Sequence, residues 1–175
     1  MKNLIVILSL SLLTVTSFVN ANATETSTEG TLKWYTTLSE VHKISQETGK
    51  PVFGFFTGSD WCGWCHKLQR EVFAKPLFIE WANKNVVLLE LDFPRKTVQA
   101  EDLKKQNQAL QQIFQVTGYP TIWIFNTGID AATSNYTVSA IGKLGYPSGA
   151  VVGQEEVKFL ADADAVLAKV PAKAN

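Results

Sequence analysis

The sequence predicts an α/β fold, a three-layer sandwich in which helices flank a central mixed β-sheet. Three observations carry that expectation. Two apolar runs, Pro51 to Phe56 (PVFGFF) and Val86 to Leu91 (VVLLEL), barely alternate, as strands buried on both faces do. Segments with helical spacing lie around and between them. A final strand and helix, Thr137 to Lys143 and Gln154 to Val170, close the chain.

Taken in order, the first 23 residues stand apart from this fold. Met1-Lys2 is a short positive start. Leu4 to Val19 is an apolar run diluted by Ser9, Ser11, Thr14, Thr16 and Ser17, and Ala21-Asn22-Ala23 has the A-x-A pattern of a cleavage site. That is the layout of a secretory signal peptide. An uncleaved anchor competes with it, because the run approaches the roughly 20 residues that span a bilayer. The polar dilution and the A-x-A pattern favour cleavage near Ala23 and a periplasmic or secreted protein. Residues 24–30 (TETSTEG) read as a flexible leader, and residues 31–175 as one domain.

Within that domain, Thr31 to Thr36 suits a short edge strand. Leu38 to Thr48 places Leu38, Val41, His42, Ile44 and Ser45 on one helical face, with Gly49 where a C-cap glycine belongs. After the first buried strand, the turn Thr57-Gly58-Ser59-Asp60 leads into a helix reading CHKLQREVF. Pro76 ends that helix and suits the first turn of a second, Leu77 to Asn83. Asp102 to Val116 reads as a polar helix burying Leu103, Leu110, Ile113 and Phe114. Gly118-Tyr119-Pro120 is a turn before the strand Thr121 to Phe125. The closing helix is expected to point Val157, Leu160, Ala161, Val166 and Leu167 inward.

Charge narrows the function classes. Sixteen basic residues balance sixteen acidic ones, and loss of Lys2 with a signal peptide leaves 15 against 16. Such a chain has no electrostatic reason to bind nucleic acid. Two cysteines provide neither a disulfide framework nor, alone, a closed zinc site. In an exported protein a single close dithiol is exposed to redox chemistry.

Those cysteines lie in Trp61-Cys62-Gly63-Trp64-Cys65-His66. At a helix start, residues three apart share one face, and their Cα atoms fall about 5–6 Å apart, within disulfide range. The helix N-terminus favours a thiolate through its partial positive charge and free N–H groups. Helix geometry exposes the first cysteine and tucks in the second, so Cys62 is expected to attack and Cys65 to resolve the mixed disulfide. An inert bridge pinning the helix start is the bland alternative, and so short a loop would stabilise little. The same residues also spell C-x-x-C-H, the attachment signature of a c-type haem with His66 on the iron. The only methionine is Met1 and the only other histidine is His42, so no haem is expected. His66 reads more simply as a surface residue of the first helical turn.

The runs KPVFGFFTGSDWCGWCHKLQREVF, VVLLELDFP and VTGYPTIWIF together resemble the thioredoxin-like superfamily, in particular exported bacterial members with a W-C-x-W-C motif. The resemblance covers about Leu32 to Val170. It implies that Cys62 and Cys65 form the redox-active disulfide. It also implies that Tyr119-Pro120 is a cis-proline loop facing that disulfide. Client proteins would touch Trp61, Gly63, Trp64, Tyr119 and Pro120, partly by strand addition along the loop.

Two departures stand out. Members often carry a buried acid in the strand before the site, where this chain reads VFGFF; Glu90 or Asp92 on the next strand are the candidate substitutes. The Gly63-Trp64 dipeptide is neither Gly-Pro nor Gly-His, which leaves the direction of electron flow open. The leading expectation is an exported thiol–disulfide oxidoreductase acting on protein thiols and disulfides, with no bound cofactor or metal. As a reductant it would draw electrons from a membrane redox partner. A non-catalytic binding or chaperone module, a haem carrier and a two-thiolate copper site are the competing readings. Asn135-Tyr136-Thr137 fits a glycosylation sequon by chance.

Overall fold

The computed structural model describes residues 31–169, so the signal-peptide segment 1–23, the leader at 24–30 and Val170 lie outside the described residues. The elements are β1 (Trp34–Tyr35), α1 (Leu38–Thr48), β2 (Val52–Thr57), α2 (Gly63–Leu68) and, continuous with it, a π-helical turn (Gln69–Phe73). There follow α3 (Pro76–Asn85), β3 (Val87–Asp92), α4 (Glu101–Ile113), β4 (Thr121–Ile129), β5 (Tyr136–Leu144) and α5 (Glu155–Leu167). The strands form one mixed sheet in the order β1-β3-β2-β4-β5. The first three run parallel, while β4 is antiparallel to β2 and β5 to β4.

All six residues of β2 are buried because the strand is central and both its faces are covered. Phe53 and Phe55 point to one side, into a core built with Leu68, Phe73, Phe78, Ile122, Ile124 and Phe159. Val52 and Phe56 point to the other, against Leu89, Leu91, Leu110, Phe114 and Phe125. Gly54 shares this second face, where an added Cβ would lie 2.8 Å from the Phe125 ring. The missing side chain is what lets that ring reach the strand.

The α1 helix starts and stops as its sequence suggests. The Thr37 side chain accepts the Glu40 N–H, and Gly49 closes the helix in the left-handed region at φ 72°. Pro76 occupies the first turn of α3.

Three expectations change. Along α4 and its C-cap, Leu110 and Phe114 are buried but Leu103 is only half-buried and Ile113 is 59% exposed. Asn107 takes the inward position instead, its amide donating to the Asp92 carbonyl at 2.9 Å. In α5, Val157 and Ala161 face solvent, and the inward face is Phe159, Ala163 and Val166. The Phe159 ring sets that rotation: it sits among Phe53, Phe73 and Phe78, and burying an aromatic outweighs burying a valine and an alanine. The β4–β5 hairpin runs well past Phe125, because Asn126, Thr127 and Gly128 pair with Ser139, Val138 and Thr137. A register shift between Ile124 and Phe125 lets this polar arm continue.

Candidate active site

The chain leaves the C-terminal end of β2 and turns at Gly58, whose carbonyl accepts the N–H groups of Trp61 (3.2 Å) and Cys62 (2.9 Å). Cys62 is the N-cap of α2, and its Sγ accepts the Cys65 N–H at 3.2 Å. Cys62 and Cys65 are joined by a disulfide with Cα atoms 5.3 Å apart. Cys62 keeps 5% of its accessible surface and Cys65 none, so the first cysteine is only slightly the more open. Both sulfurs belong to the core on the Phe53–Phe55 side of the sheet.

Trp61 lies beside the bridge, half-buried. Its indole N–H donates to the Phe93 carbonyl at 2.8 Å, and its ring meets Tyr119 edge-on at 5.7 Å. Gly58 makes room for that ring, since a Cβ there would stand 2.5 Å from the indole nitrogen. The Tyr119–Pro120 bond is cis. Tyr119 OH accepts the Gln111 amide at 2.7 Å, and burial together with Asp92 pushes its phenol above the ordinary range. Pro120 directly precedes Thr121, which pairs with Phe56. The cis loop therefore sits at the sheet end from which the dithiol loop departs.

Trp64 is 57% exposed and meets Tyr146 edge-on at 5.1 Å. The Lys67 ammonium lies 5.0 Å from the Trp64 ring and 4.9 Å from the Tyr146 ring. Tyr146 OH donates to Glu71 at 2.6 Å, and Lys67 stands 3.9 Å from the same carboxylate. The bond from Tyr146 and the charge of Lys67 hold Glu71 below the usual carboxylate range, while contact with Tyr146 raises Lys67. Gly63 has open space around it.

The loop after β3 closes the other flank. The Asp60 carboxylate accepts the backbone N–H groups of Arg95 (3.0 Å), Lys96 (2.7 Å) and Thr97 (3.0 Å). Those bonds, the one from Arg95 first, lower its pKa to about 2. The Arg95 guanidinium lies 3.6 Å over the Trp61 ring. Ser59 donates from its N–H and hydroxyl to the two oxygens of Asp92, at 2.8 and 2.6 Å. Exposed His66 turns its Nε2 to the Ser59 carbonyl at 2.7 Å, so that nitrogen donates. Glu90 lies opposite Phe55 and makes no hydrogen bond or ion pair among the described residues; burial, with Asp92, pushes its carboxyl up.

The structure thus brings Trp61, Cys62, Cys65, Tyr119 and Pro120 to one end of the sheet and sets Trp64 against Tyr146 and Lys67. Sequence reasoning missed Asp60, Arg95, Glu71, Lys67 and Tyr146. The segment FPRK, with two cations after a proline, was the only local hint of the Arg95 loop. Tyr146, 75 residues from Glu71, offered none.

A model of the thioredoxin-like domain family matches residues 38–133. The chain is similar to the "Disulfide bond reductase DsbH" of Chlamydia pneumoniae, 35% identical over 103 residues, 59% of this chain and 61% of that protein. It is also similar to the "Thioredoxin-related protein DsbJ" of Chlamydia pneumoniae, 27% identical over 161 residues, 92% of this chain and 42% of that protein. The matches span less than two thirds of either relative's length. Among solved structures, a DsbH oxidoreductase superposes with a TM-score of 0.67 at 28% identity, covering 87% of this chain and 95% of that one. The solution structure of a thioredoxin from Thermus thermophilus, with a TM-score of 0.52 at 19% identity over 79% of this chain and 88% of that one, shares the fold alone.

Proposed function

The chain belongs to the thioredoxin-like domain family, and from that premise we propose that it is an exported thiol–disulfide oxidoreductase that reduces disulfides in client proteins. The observation that carries the reading is the Cys62–Cys65 pair at the N-terminus of α2, with Cys62 as the cap and the less buried of the two. Reduced Cys62 ionises there because the first-turn N–H groups and the helix dipole favour its thiolate. The thiolate attacks one sulfur of a client disulfide. A Cys62–client bond forms, the client bond breaks, and the released client sulfur takes a proton. Cys65, deprotonated in turn, attacks Cys62 Sγ, reforms the bridge and releases the second client thiol. Two electrons have passed from the dithiol to the client.

The proton that leaves Cys65 needs an acceptor. Glu90 alternates with Leu88 along β3 and so points to the face whose core holds Cys65. Asp92 has both oxygens engaged by Ser59, whereas the Glu90 carboxyl makes no hydrogen bond among the described residues and is raised by burial and then by the charge of Asp92. Glu90 is therefore the acceptor of choice. Trp61, Tyr119 and Pro120 form one client-facing wall, and Gly63 with exposed Trp64 the other.

The reducing direction is supported by a relative 35% identical to this chain that bears the name of a disulfide bond reductase. A dithiol on a membrane partner would restore the reduced form, and the segment 1–23 would direct export. No bound cofactor takes part. The test is reduction of insulin disulfides by the purified protein together with a redox titration against glutathione. Cys62→Ser is expected to abolish reduction, and Cys65→Ser to trap a covalent client complex. A potential of about −270 mV fits a reductase, whereas about −120 mV would assign an oxidase. Insulin reduction surviving Cys62→Ser would overturn the reading altogether.

A further inference from the structure

Each tryptophan of the motif carries a cation on its face, but the two cations differ in what else they meet. Lys67, over Trp64, is already engaged: Glu71 stands 3.9 Å away, and Glu155 adds its charge. Arg95, over Trp61, forms no salt bridge and no side-chain hydrogen bond among the described residues. The residue is exposed, and no described residue takes any of its guanidinium donors.

Its position is fixed from two sides. The Asp60 carboxylate grips the backbone of Arg95, Lys96 and Thr97, and the indole of Trp61 holds Phe93. The planar group is then laid on the Trp61 ring, next to Cys62 in the chain. The acids on this flank do not compete for it. Asp60 uses one oxygen on the Arg95 amide and the other on the amides of Lys96 and Thr97, and Asp92 uses both on Ser59. A fork of donors held flat at the rim of a reactive disulfide matches the geometry of a carboxylate, which guanidinium binds through two parallel hydrogen bonds. Lys96, exposed beside it, adds charge of the same sign.

We infer that Arg95 is a specificity residue that binds a carboxylate flanking the target cysteine, so that the clients favoured at this site are acidic segments around their disulfides. This rests on the oxidoreductase reading above and names the substrate class for it. An ion pair at an exposed rim acts on capture and orientation and not on the sulfur chemistry itself.

The experiment uses the reduced full chain and two synthetic peptide disulfides that differ only in Asp or Gln beside the cysteine, with 2-hydroxyethyl disulfide as an uncharged third substrate. The wild type is expected to reduce the Asp peptide about threefold to tenfold faster than the Gln peptide at low salt. That ratio should fall toward one in about 1 M salt, where the screening length is about 3 Å. Arg95→Gln should bring it to one at low salt, and Arg95→Lys should retain part of it, keeping the charge without the fork. Equal wild-type rates on the two peptides, or a ratio unmoved by Arg95→Gln, would overturn the inference while leaving the oxidoreductase standing. No reaction of the wild type with any of the three disulfides would remove both.

Discussion

Asp60 stands next to Trp61, and its carboxylate accepts three successive backbone N–H groups from Arg95, Lys96 and Thr97. A carboxylate that receives several such bonds is stabilised in its charged form, which is why its pKa falls from 3.8 to about 2. Because the folded value lies below the unfolded one, the contribution to stability is complete above the unfolded pKa of 3.8 and lost as the pH falls through about 2. Carbon-13 NMR of the Asp60 carboxyl should therefore titrate with a midpoint of about 2. Asp60→Asn should speed amide exchange at Arg95, Lys96 and Thr97 at neutral pH. An ordinary midpoint with unchanged exchange would mean that the loop is held by something else. At this scale the dithiol was readable because its chemistry is local: two cysteines at helical spacing need no distant partner to be understood. Asp60 was not, since its partners lie 35 to 37 residues along the chain and an acidic residue before a tryptophan carries no signal of its own.

The α2 helix, its π turn and the loop before it form the element that presents the bridge. Gly58 is the residue on which that presentation turns, because its hydrogen fits against the indole of Trp61 and a methyl would not. Gly58→Ala should push the ring away, breaking its bond to the Phe93 carbonyl and its stacking with Arg95. We expect a loss of about 1–3 kcal/mol in urea unfolding, as for other overpacked sites, with easier acrylamide quenching of the displaced indole. Unchanged stability and quenching would show that the turn yields without moving Trp61. Boundaries marked by strong local chemistry, the Gly49 cap and the Pro76 start, were legible in advance. The π turn was not, because the Ala74 N–H bonding to the Gln69 carbonyl is a choice made by packing. Nor was the inward face of α5. Its spacing allows more than one apolar stripe, and only the aromatic cluster around Phe53 selects the one through Phe159.

The whole molecule is one sheet shared by two cores. The apolar runs of β2 and β3 announced a sheet buried on both faces, and that much of the fold follows from burial alone. The order β1-β3-β2-β4-β5 depends on which edges meet, and with it the meeting of the Arg95 loop, the cis-proline loop and the dithiol loop at one sheet end. No local pattern encodes that meeting, which is why the cysteines were visible in the sequence and the flanking wall was not. The shared sheet also has a mechanical consequence. Phe53 fills the core beneath α2 and α5, and Phe125 fills the opposite core beneath α1 and α4; both are fully buried. Their strands are neighbours, with Val52 opposite Phe125 and Phe53 opposite Ile124. Truncating either ring to alanine should cost about 3–5 kcal/mol. If the two cores melt together through their common strands, each variant lowers the urea midpoint in a single transition. Far-UV circular dichroism and tryptophan emission then coincide and the slope is unchanged. A Phe125→Ala variant whose emission changes before its helices melt would show that the α1–α4 face unfolds independently. The dithiol face would then rest on a smaller cooperative unit than the sheet implies.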